Sequence, residues 1–149
     1  MAQQLNLTDG LKAWLDSVEK STSKMPVYDQ HRIENAGAEV FMKHLREETN
    51  AKHRSRHNDK KYGHAADHIG MSRAKDGSKF ATEVQHVRVG WDNRYHAMNM
   101  MRVNDGTKRI IGDHFVTNLR ENSEVQDEML EAEKRAYNQV IKKNQEGDA

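Results

Sequence analysis

The chain has 149 residues, of which 35% are hydrophobic, 6% aromatic and 32% charged, and its mean hydropathy is −1.05. The formal net charge of +1 excludes a uniformly basic nucleic-acid-binding protein and confines any such role to a local patch. Cysteine is absent, which excludes disulfides, thiolate catalysis and cysteine-ligated zinc, and no apolar run reaches the length of a transmembrane helix. We expect one soluble domain over residues 1–149, folded in a cytoplasm, with flexible ends at about 1–6 and 144–149.

Two helices are predicted before the middle of the chain. Thr8 or Asp9 can cap the first, whose apolar residues recur at helical spacings: Leu7, Leu11, Trp14, Leu15 and Val18. It should end near residues 21–23, before Pro26. The second should begin at Asp29 and run to about Ala51. Its apolar face comprises Ile33, Ala36, Val40, Phe41, His44 and Leu45.

A basic segment follows the second helix. Seven basic residues stand against three acidic ones between Lys43 and Lys61, with histidines interspersed. A charged run of this kind is typically solvated and exposed, and we take residues 50–63 as a candidate mobile segment. The alternative is a contact with phosphates or with an acidic neighbouring subunit.

The middle of the chain has the pattern of a small sheet. Residues 64–71 fit either a short helix or the approach to a strand, and residues 75–78 form a turn signal. Residues 80–91 predict a strand, but its two halves alternate on opposite parity, so a bulge or bend is expected near residues 85–86. After a turn at Asp92–Asn93, residues 95–103 predict a second strand, with a helix starting at Tyr95 as the alternative.

The C-terminal third should be mainly helical. Asp105–Gly106 is a turn signal, Ile110–Ile111 fits a short strand, and Asp113 can cap a short helix reaching residues 119–122. Ser123 with Gln126 forms a capping-box pattern that opens a long helix to about residue 143. Its apolar stripe comprises Val125, Met129, Ala132, Ala136 and Val140, with Tyr137 and Ile141 beside them. The predicted fold class is therefore α+β, a small antiparallel sheet packed against two N-terminal helices and a long C-terminal helix.

The nine histidines raise the question of a metal site. His53 and His57 are four residues apart, as are His64 and His68 with Asp67 nearby, so each pair can share one helix face. The first pair lies in a basic stretch that would repel a cation, and no His-Glu-x-x-His pattern is present. The strand pair of a His-Asn-His nuclease, a nucleophile elbow and a glycine-rich phosphate loop are also missing. We therefore predict no catalytic residue, no metal site and no cofactor.

A methionine cluster near the second strand has two interpretations. Met98, Met100 and Met101 lie close in sequence to Trp91 and Tyr95. Such a cluster usually packs in a core, but methionines also suit adaptable protein interfaces.

Several short segments, in their order along the chain, resemble the neck or tail-completion proteins of long-tailed bacteriophages. His64-Ala65-Ala66-Asp67-His68-Ile69 is similar to that family's His-Leu-x-Asp-x-Ile segment, with Ala65 in place of leucine. Val87-Arg88-Val89-Gly90-Trp91 is similar to its Val-x-Val-Gly strand end. Residues 95–107 resemble the span that ends in Glu-Phe-Gly-Thr, with Asn104-Asp105 in place of Glu-Phe. Asp113-His114-Phe115-Val116 resembles the segment before the family's last helix. The resemblance covers residues 30–141.

The resemblance implies a structural, non-enzymatic protein of the virion neck, made in the host cytoplasm. Copies of the chain would form a ring, expected to be a hexamer, that joins the connector at the head to the tail and leaves a channel for DNA. The implied partners are other copies of this chain, the connector or head-completion protein, and the tail terminator or tail tube protein. DNA would pass through the lumen, and no membrane is involved.

The residues we select for an assembly interface or a DNA-facing surface are mostly cations and methionines. They are Lys52, Arg54, Arg56, Lys60, Lys61, Trp91, Arg94, Met98, Met100 and Arg102. The alternative function is a small nucleic-acid-binding module that uses residues 52–61, and a metal-dependent nuclease is a further alternative. Recognition of single strands requires aromatic side chains on which bases stack, and this module would lack them among its basic residues.

Overall fold

The structure, a computed structural model, describes residues 10–13, 15–16, 25–54, 56, 60–73 and 87–147. Its elements follow in the order α1 (Val27–His53), a 3-10 helix (Ala65–His68), β1 (Ile69–Arg73), β2 (Val87–Trp91), α2 (Arg94–Asp105), α3 (Phe115–Glu121) and α4 (Ser123–Gly147). Residues 10–13 and 15–16 are helical, as predicted for the first helix, and Leu7, Trp14, Val18 and the expected ends of that helix lie outside the described residues.

Helix α1 begins directly after Pro26, two residues before the predicted start at Asp29, and includes residues 50–53 of the candidate mobile segment. A proline suits this boundary because it has no N–H to leave unpaired. The buried positions Gly37, Ala38, Leu45 and Thr49 recur at helical spacing. The hydroxyl of Thr49 donates to the carbonyl of Leu45 at 2.6 Å, which satisfies it inside the core.

Both interpretations of residues 64–71 are confirmed, because the 3-10 turn is followed at once by strand β1. β1 and β2 pair antiparallel, with Ile69 opposite Trp91 and Arg73 opposite Val87. The Arg73 side chain ties the sheet to α1 through Glu34 at 3.2 Å and Asn35 at 2.9 Å. The predicted turn at 75–78, the strand residues 80–86 and the bend at 85–86 lie outside the described residues.

The predicted strand at residues 95–103 is wrong, and the alternative, a helix, is what forms. Asn93 caps α2 by accepting a hydrogen bond from the backbone N–H of His96 at 2.9 Å. His96, Met100 and Asn104 then fall on one buried face at four-residue spacing. Gly106, with φ of 84°, ends the helix in a conformation that favours glycine.

The predicted strand at Ile110–Ile111 is also wrong, because these residues lie in an exposed loop. Helix α3 follows with His114, not the predicted Asp113, at its N-cap position, while the Asp113 carboxylate one residue earlier accepts from the N–H of Phe115 at 3.2 Å.

The capping-box prediction for α4 is wrong in its donor and acceptor. Asn122 caps the helix instead, since its side-chain oxygen Oδ1 accepts from the N–H groups of Glu124 and Val125 at 2.9 and 3.3 Å. Gln126 turns to the carbonyl of Arg120 at 2.7 Å. The helix continues past residue 143 to Gly147, so residues 144–147 of the expected flexible end are helical.

The core lies where α1, the sheet, α2 and α3 meet. Leu45, Ile69, Met100 and Phe115 form its buried centre. Helices α1 and α4 pack along one another, and they run antiparallel because His44 meets Glu128 while Gly37 meets Glu133. The α+β prediction of a small antiparallel sheet with packed helices is confirmed.

Candidate interaction surfaces

The first part of the basic segment is engaged within the chain. The Lys52 ammonium pairs with Glu48 one helical turn away, and this hydrogen bond raises the pKa of Lys52. The Arg54 guanidinium contacts both carboxylate oxygens of Asp67 at 3.3 Å and the side-chain oxygen of Asn50 at 2.6 Å. These contacts tie the end of α1 to the 3-10 helix. Lys52 and Arg54 are therefore only in part available to an external phosphate or carboxylate.

The later cations of the basic segment are exposed. Arg56, Lys60 and Lys61 have exposed side chains, and the ammonium of Lys61 lies 5.0 Å from the centre of the Tyr62 ring. Tyr62 in turn stacks on Tyr95, with ring centroids 4.2 Å apart. Residues 55 and 57–59, and with them His57 of the first histidine pair, lie outside the described residues.

Two of the selected residues belong to the core. Met100 is only 9% exposed and packs in the buried cluster, and Trp91 is half-buried with its ring centroid 6.4 Å from that of Phe115. Met100 therefore has almost no surface to offer a neighbouring molecule. The sequence suggested both because methionines and aromatic residues are common to cores and interfaces.

Three of the selected residues share one exposed face of α2. Arg94, Met98 and Arg102 are exposed, together with Tyr95 and Met101 between them. We call these five residues the α2 face. It combines apolar thioether and aromatic groups with two guanidinium groups, which is the composition of many interface centres.

The first half of α4 carries the opposite charge. Glu124, Asp127 and Glu131 are exposed there, and the exposed Leu130 lies among them with 63% of its surface accessible. We call these four residues the α4 face. In sign of charge and in its central apolar side chain, it is the counterpart of the α2 face.

A loop between α2 and α3 holds two isoleucines in solvent. Ile110 is 50% exposed and Ile111 is 96% exposed. The loop is closed by internal bonds, since the N–H of Thr107 donates to the carbonyl of Ile110 at 2.8 Å and the Thr107 hydroxyl accepts from the N–H groups of Arg109 and Ile110. We call residues 107–111 the isoleucine loop.

The two ends of the isoleucine loop are fixed by close backbone contact. A methyl group at Gly112 would lie 2.6 Å from the carbonyl oxygen of Asn104, so this position accepts no side chain without a shift of backbone.

The Asn104 side chain is buried and accepts from the N–H groups of Val116 and Thr117 at 2.9 and 3.2 Å. It thereby satisfies the free donors at the start of α3.

A groove of about 510 Å³ lies between α1, β2 and α4. Its apolar lining comprises Ala38, Phe41, Val87, Val89 and Met129, and its polar lining comprises Glu34, Arg120, Gln126 and Glu133. Glu34 is held by Arg73, whereas Glu133 has no hydrogen-bond or ion-pair partner among the described residues. Burial, and secondarily the nearby Glu34 carboxylate, raise the pKa of Glu133.

Four of the described histidines, His44, His53, His68 and His96, each lie beside a single carboxylate or carbonyl. His68 lies 3.1 Å from an Asp92 oxygen, and the buried His96 donates from Nε2 to the carbonyl of Tyr62 at 2.7 Å. His53 Nε2 lies 2.8 Å from Asp113 Oδ2, although the contact lacks hydrogen-bond geometry. Within the part of the chain that the structure describes, no group of three or more potential ligands is placed to hold a metal ion.

Sequence reasoning missed the isoleucine loop, Leu130 and the partnerless Glu133. The signal for the loop was present, because Gly106 and Gly112 enclose a short segment in which two isoleucines follow two cations. The sequence predicts a strand at these isoleucines because β-branched residues favour strands. The sequence signal for Glu133 was its spacing, because it stands four residues after Met129 and three before Ala136 of the apolar stripe.

The chain was compared with protein-family models, curated proteins and solved structures, and none of them matches it significantly. Among the helices of the described residues, none combines the length and the apolar character needed to cross a membrane.

Proposed function

We propose that this chain is a structural subunit of the bacteriophage neck, a non-catalytic head–tail connector or tail-completion protein. Copies would associate head to tail into a ring, expected to be a hexamer, between the connector at the head and the tail. The ring would leave a channel for DNA. Its partners would be copies of itself, the connector or head-completion protein, and the tail terminator or tail tube protein.

The observation that carries this proposal is the pair of unlike exposed faces on α2 and α4. The α2 face offers Arg94 and Arg102 around exposed methionines, and the α4 face offers carboxylates around Leu130. Complementary charge on two different surfaces of one chain favours a heterologous contact, in which each copy uses one face toward each neighbour. Contacts of this type generate rings when the rotation between copies closes.

The order of the segments also supports the proposal. The histidine-bearing turn, the Val-x-Val-Gly strand, the glycine–threonine turn and the segment before the last helix occur in the order of the neck proteins that the sequence resembles. These segments form the 3-10 helix, strand β2, the end of α2 with the isoleucine loop, and the start of α3.

The nucleic-acid-binding alternative has less support. Its basic segment loses two of its cations to internal partners, since Glu48 pairs with Lys52 and Asp67 pairs with Arg54. Phosphate binding would have to compete with both pairs, or rely on Arg56, Lys60 and Lys61.

Complementation of a phage that lacks this gene tests the proposal. Without the protein, negative-stain images should show heads and tails apart, and the wild-type chain should restore joined particles. Arg94→Glu with Arg102→Glu should fail to restore them, because like charges would then meet across the contact. Lys142→Glu with Lys143→Glu changes the net charge equally at the exposed end of α4 and should complement normally.

The two parts of the proposal fail separately in this experiment. Normal virions in the absence of the protein would refute the neck function. Full complementation by the Arg94→Glu, Arg102→Glu variant would refute the role of the α2 face alone.

A further inference from the structure

We infer that the isoleucine loop of one copy inserts into the groove between α1, β2 and α4 of the next copy, so that Ile110 and Ile111 meet its apolar lining. The inference rests on the proposed ring and names one of the contacts that would hold it together. It concerns a different pair of surfaces from the α2 and α4 faces.

The loop has the properties of a preformed ligand. Its isoleucines are exposed although the backbone around them is fixed by the Thr107 bonds and by the tight approach of Gly112 to Asn104. An exposed apolar residue on a mobile tip would need no explanation, but here the backbone holds two of them in one arrangement. A rigid loop loses little conformational entropy on binding, which favours docking of the kind inferred.

The groove has the properties of a receptor for aliphatic side chains. Its volume of about 510 Å³ falls within the range of roughly 300–1,000 Å³ that ligand pockets occupy. Phe41, Val89 and Met129 give it an apolar lining from three different elements. Methionine adapts its shape readily to an inserted group.

The charges at the two surfaces are complementary. Lys108 and Arg109 precede the isoleucines in the loop, and neither side chain has a partner among the described residues. Glu133 at the groove is likewise without a described partner, and burial penalises its charge. A cation from the loop of a neighbour would relieve that penalty. Arg120 also lines the groove, so we expect the incoming cation to lie on the side of Glu133.

An isoleucine loop that fills the groove must come from another copy. Ile111 is 96% exposed, so the loop does not fill the groove of its own chain. Loop and groove are different surfaces, and a contact between them leaves one of each free at the ends of every dimer. It therefore repeats head to tail, which is the geometry that a ring requires.

Disulfide trapping tests the contact directly, because the chain contains no cysteine. Full-length Ile111→Cys carrying a size tag is mixed with untagged Met129→Cys and exposed to mild oxidation with a copper–phenanthroline catalyst in air. The control replaces Met129→Cys by Asn138→Cys, an exposed position of α4 outside both the groove and the α4 face. We expect the tagged–untagged heterodimer to form at least about tenfold more in the groove pair than in the control pair.

Circular dichroism of each variant verifies folding before trapping, and Val89→Cys supplies a second groove position if Met129→Cys does not fold. Equal trapping in the groove and control pairs would overturn the inference. If the wild-type chain forms rings in the same preparation, that result removes this contact and leaves the proposed function standing. If the wild-type chain stays monomeric even with its neck partners, the proposed function fails together with the inference.

Discussion

At the scale of single residues, the buried Asn104 side chain connects two helices through hydrogen bonds. Its oxygen accepts from the N–H groups of Val116 and Thr117, and its amide donates to Asp105 at 2.7 Å and to the Thr117 hydroxyl at 3.1 Å. One buried amide thus joins the end of α2 to the start of α3. Among the described residues, both the oxygen and the amide nitrogen of the Asn104 side chain are thus engaged in hydrogen bonds.

Asn104→Ala should lower the free energy of unfolding by about 2–3 kcal/mol, because it leaves buried N–H groups at the start of α3 without an acceptor. Chemical denaturation monitored by circular dichroism measures the change. Asn118→Ala is the matched control, since Asn118 is exposed and, among the described residues, its side chain makes one long hydrogen bond of 3.5 Å, to the backbone carbonyl of Asp113. A variant Asn104→Ala as stable as the control would contradict the capping role.

Residue identity alone did not reveal which methionine is buried. Met98, Met100 and Met101 are chemically the same, and the sequence pattern placed them on a strand. The cap at Asn93 turns the segment into a helix, and the helical period then buries Met100 and exposes the other two. A side chain's burial therefore depended on a hydrogen bond made several residues earlier.

At the scale of elements, the contact between α1 and α4 partly buries the Glu133 carboxylate, and this burial disfavours its charged form. The Glu133 side chain lies against Gly37, where a methyl group would overlap its carboxylate. The overlapping atoms belong to the flexible Glu133 side chain, which can turn away, so the contact does not by itself require glycine at this position. The same contact removes water from Glu133 and raises its pKa above the ordinary value of 4.5.

Glu133→Gln should raise the free energy of unfolding at pH 7.5 by less than about 1 kcal/mol, since it removes a charge whose burial is unfavourable. The folded state holds the proton more tightly than the unfolded state, so the wild-type protein loses stability as pH rises from 4.5 through the raised pKa of Glu133. The advantage of the variant should therefore vanish below pH 4.5.

Thermal unfolding of both proteins between pH 4 and pH 8 provides the measurement. Glu131→Gln, an exposed position on the same helix, is the control variant. An advantage of Glu133→Gln that stays constant over this range would contradict the raised pKa.

The type of the long helices α1 and α4 was predictable from the sequence, whereas that of the shorter α2 was not. Helices α1 and α4 carry an apolar stripe over many turns, so neighbouring residues could shift their ends but not their type. Residues 95–103 are short enough to fit both a two-residue and a helical period, and the cap at Asn93 decides between them. The capping residue of α4 is Asn122 and not the predicted Ser123 for a similar reason, because either side chain can cap and only the folded backbone selects one.

At the scale of the whole molecule, the chain combines a small core with exposed apolar groups at ordered positions. The α2 face, Leu130 and the isoleucine loop are all exposed, each beside charged residues. The sequence left the methionines near Trp91 open between packing in a core and forming an interface, so some of these side chains were expected to be exposed. It did not predict which ones, because exposure is a property of the packed elements together.

We propose that this protein acts by associating with copies of itself. Native mass spectrometry of the purified chain, alone and mixed with phage connector and tail proteins, measures this association. We predict a closed assembly whose mass is a whole multiple of the 17.2 kDa protomer, with six copies expected. A species of 17.2 kDa at every concentration, with and without those partners, would contradict it.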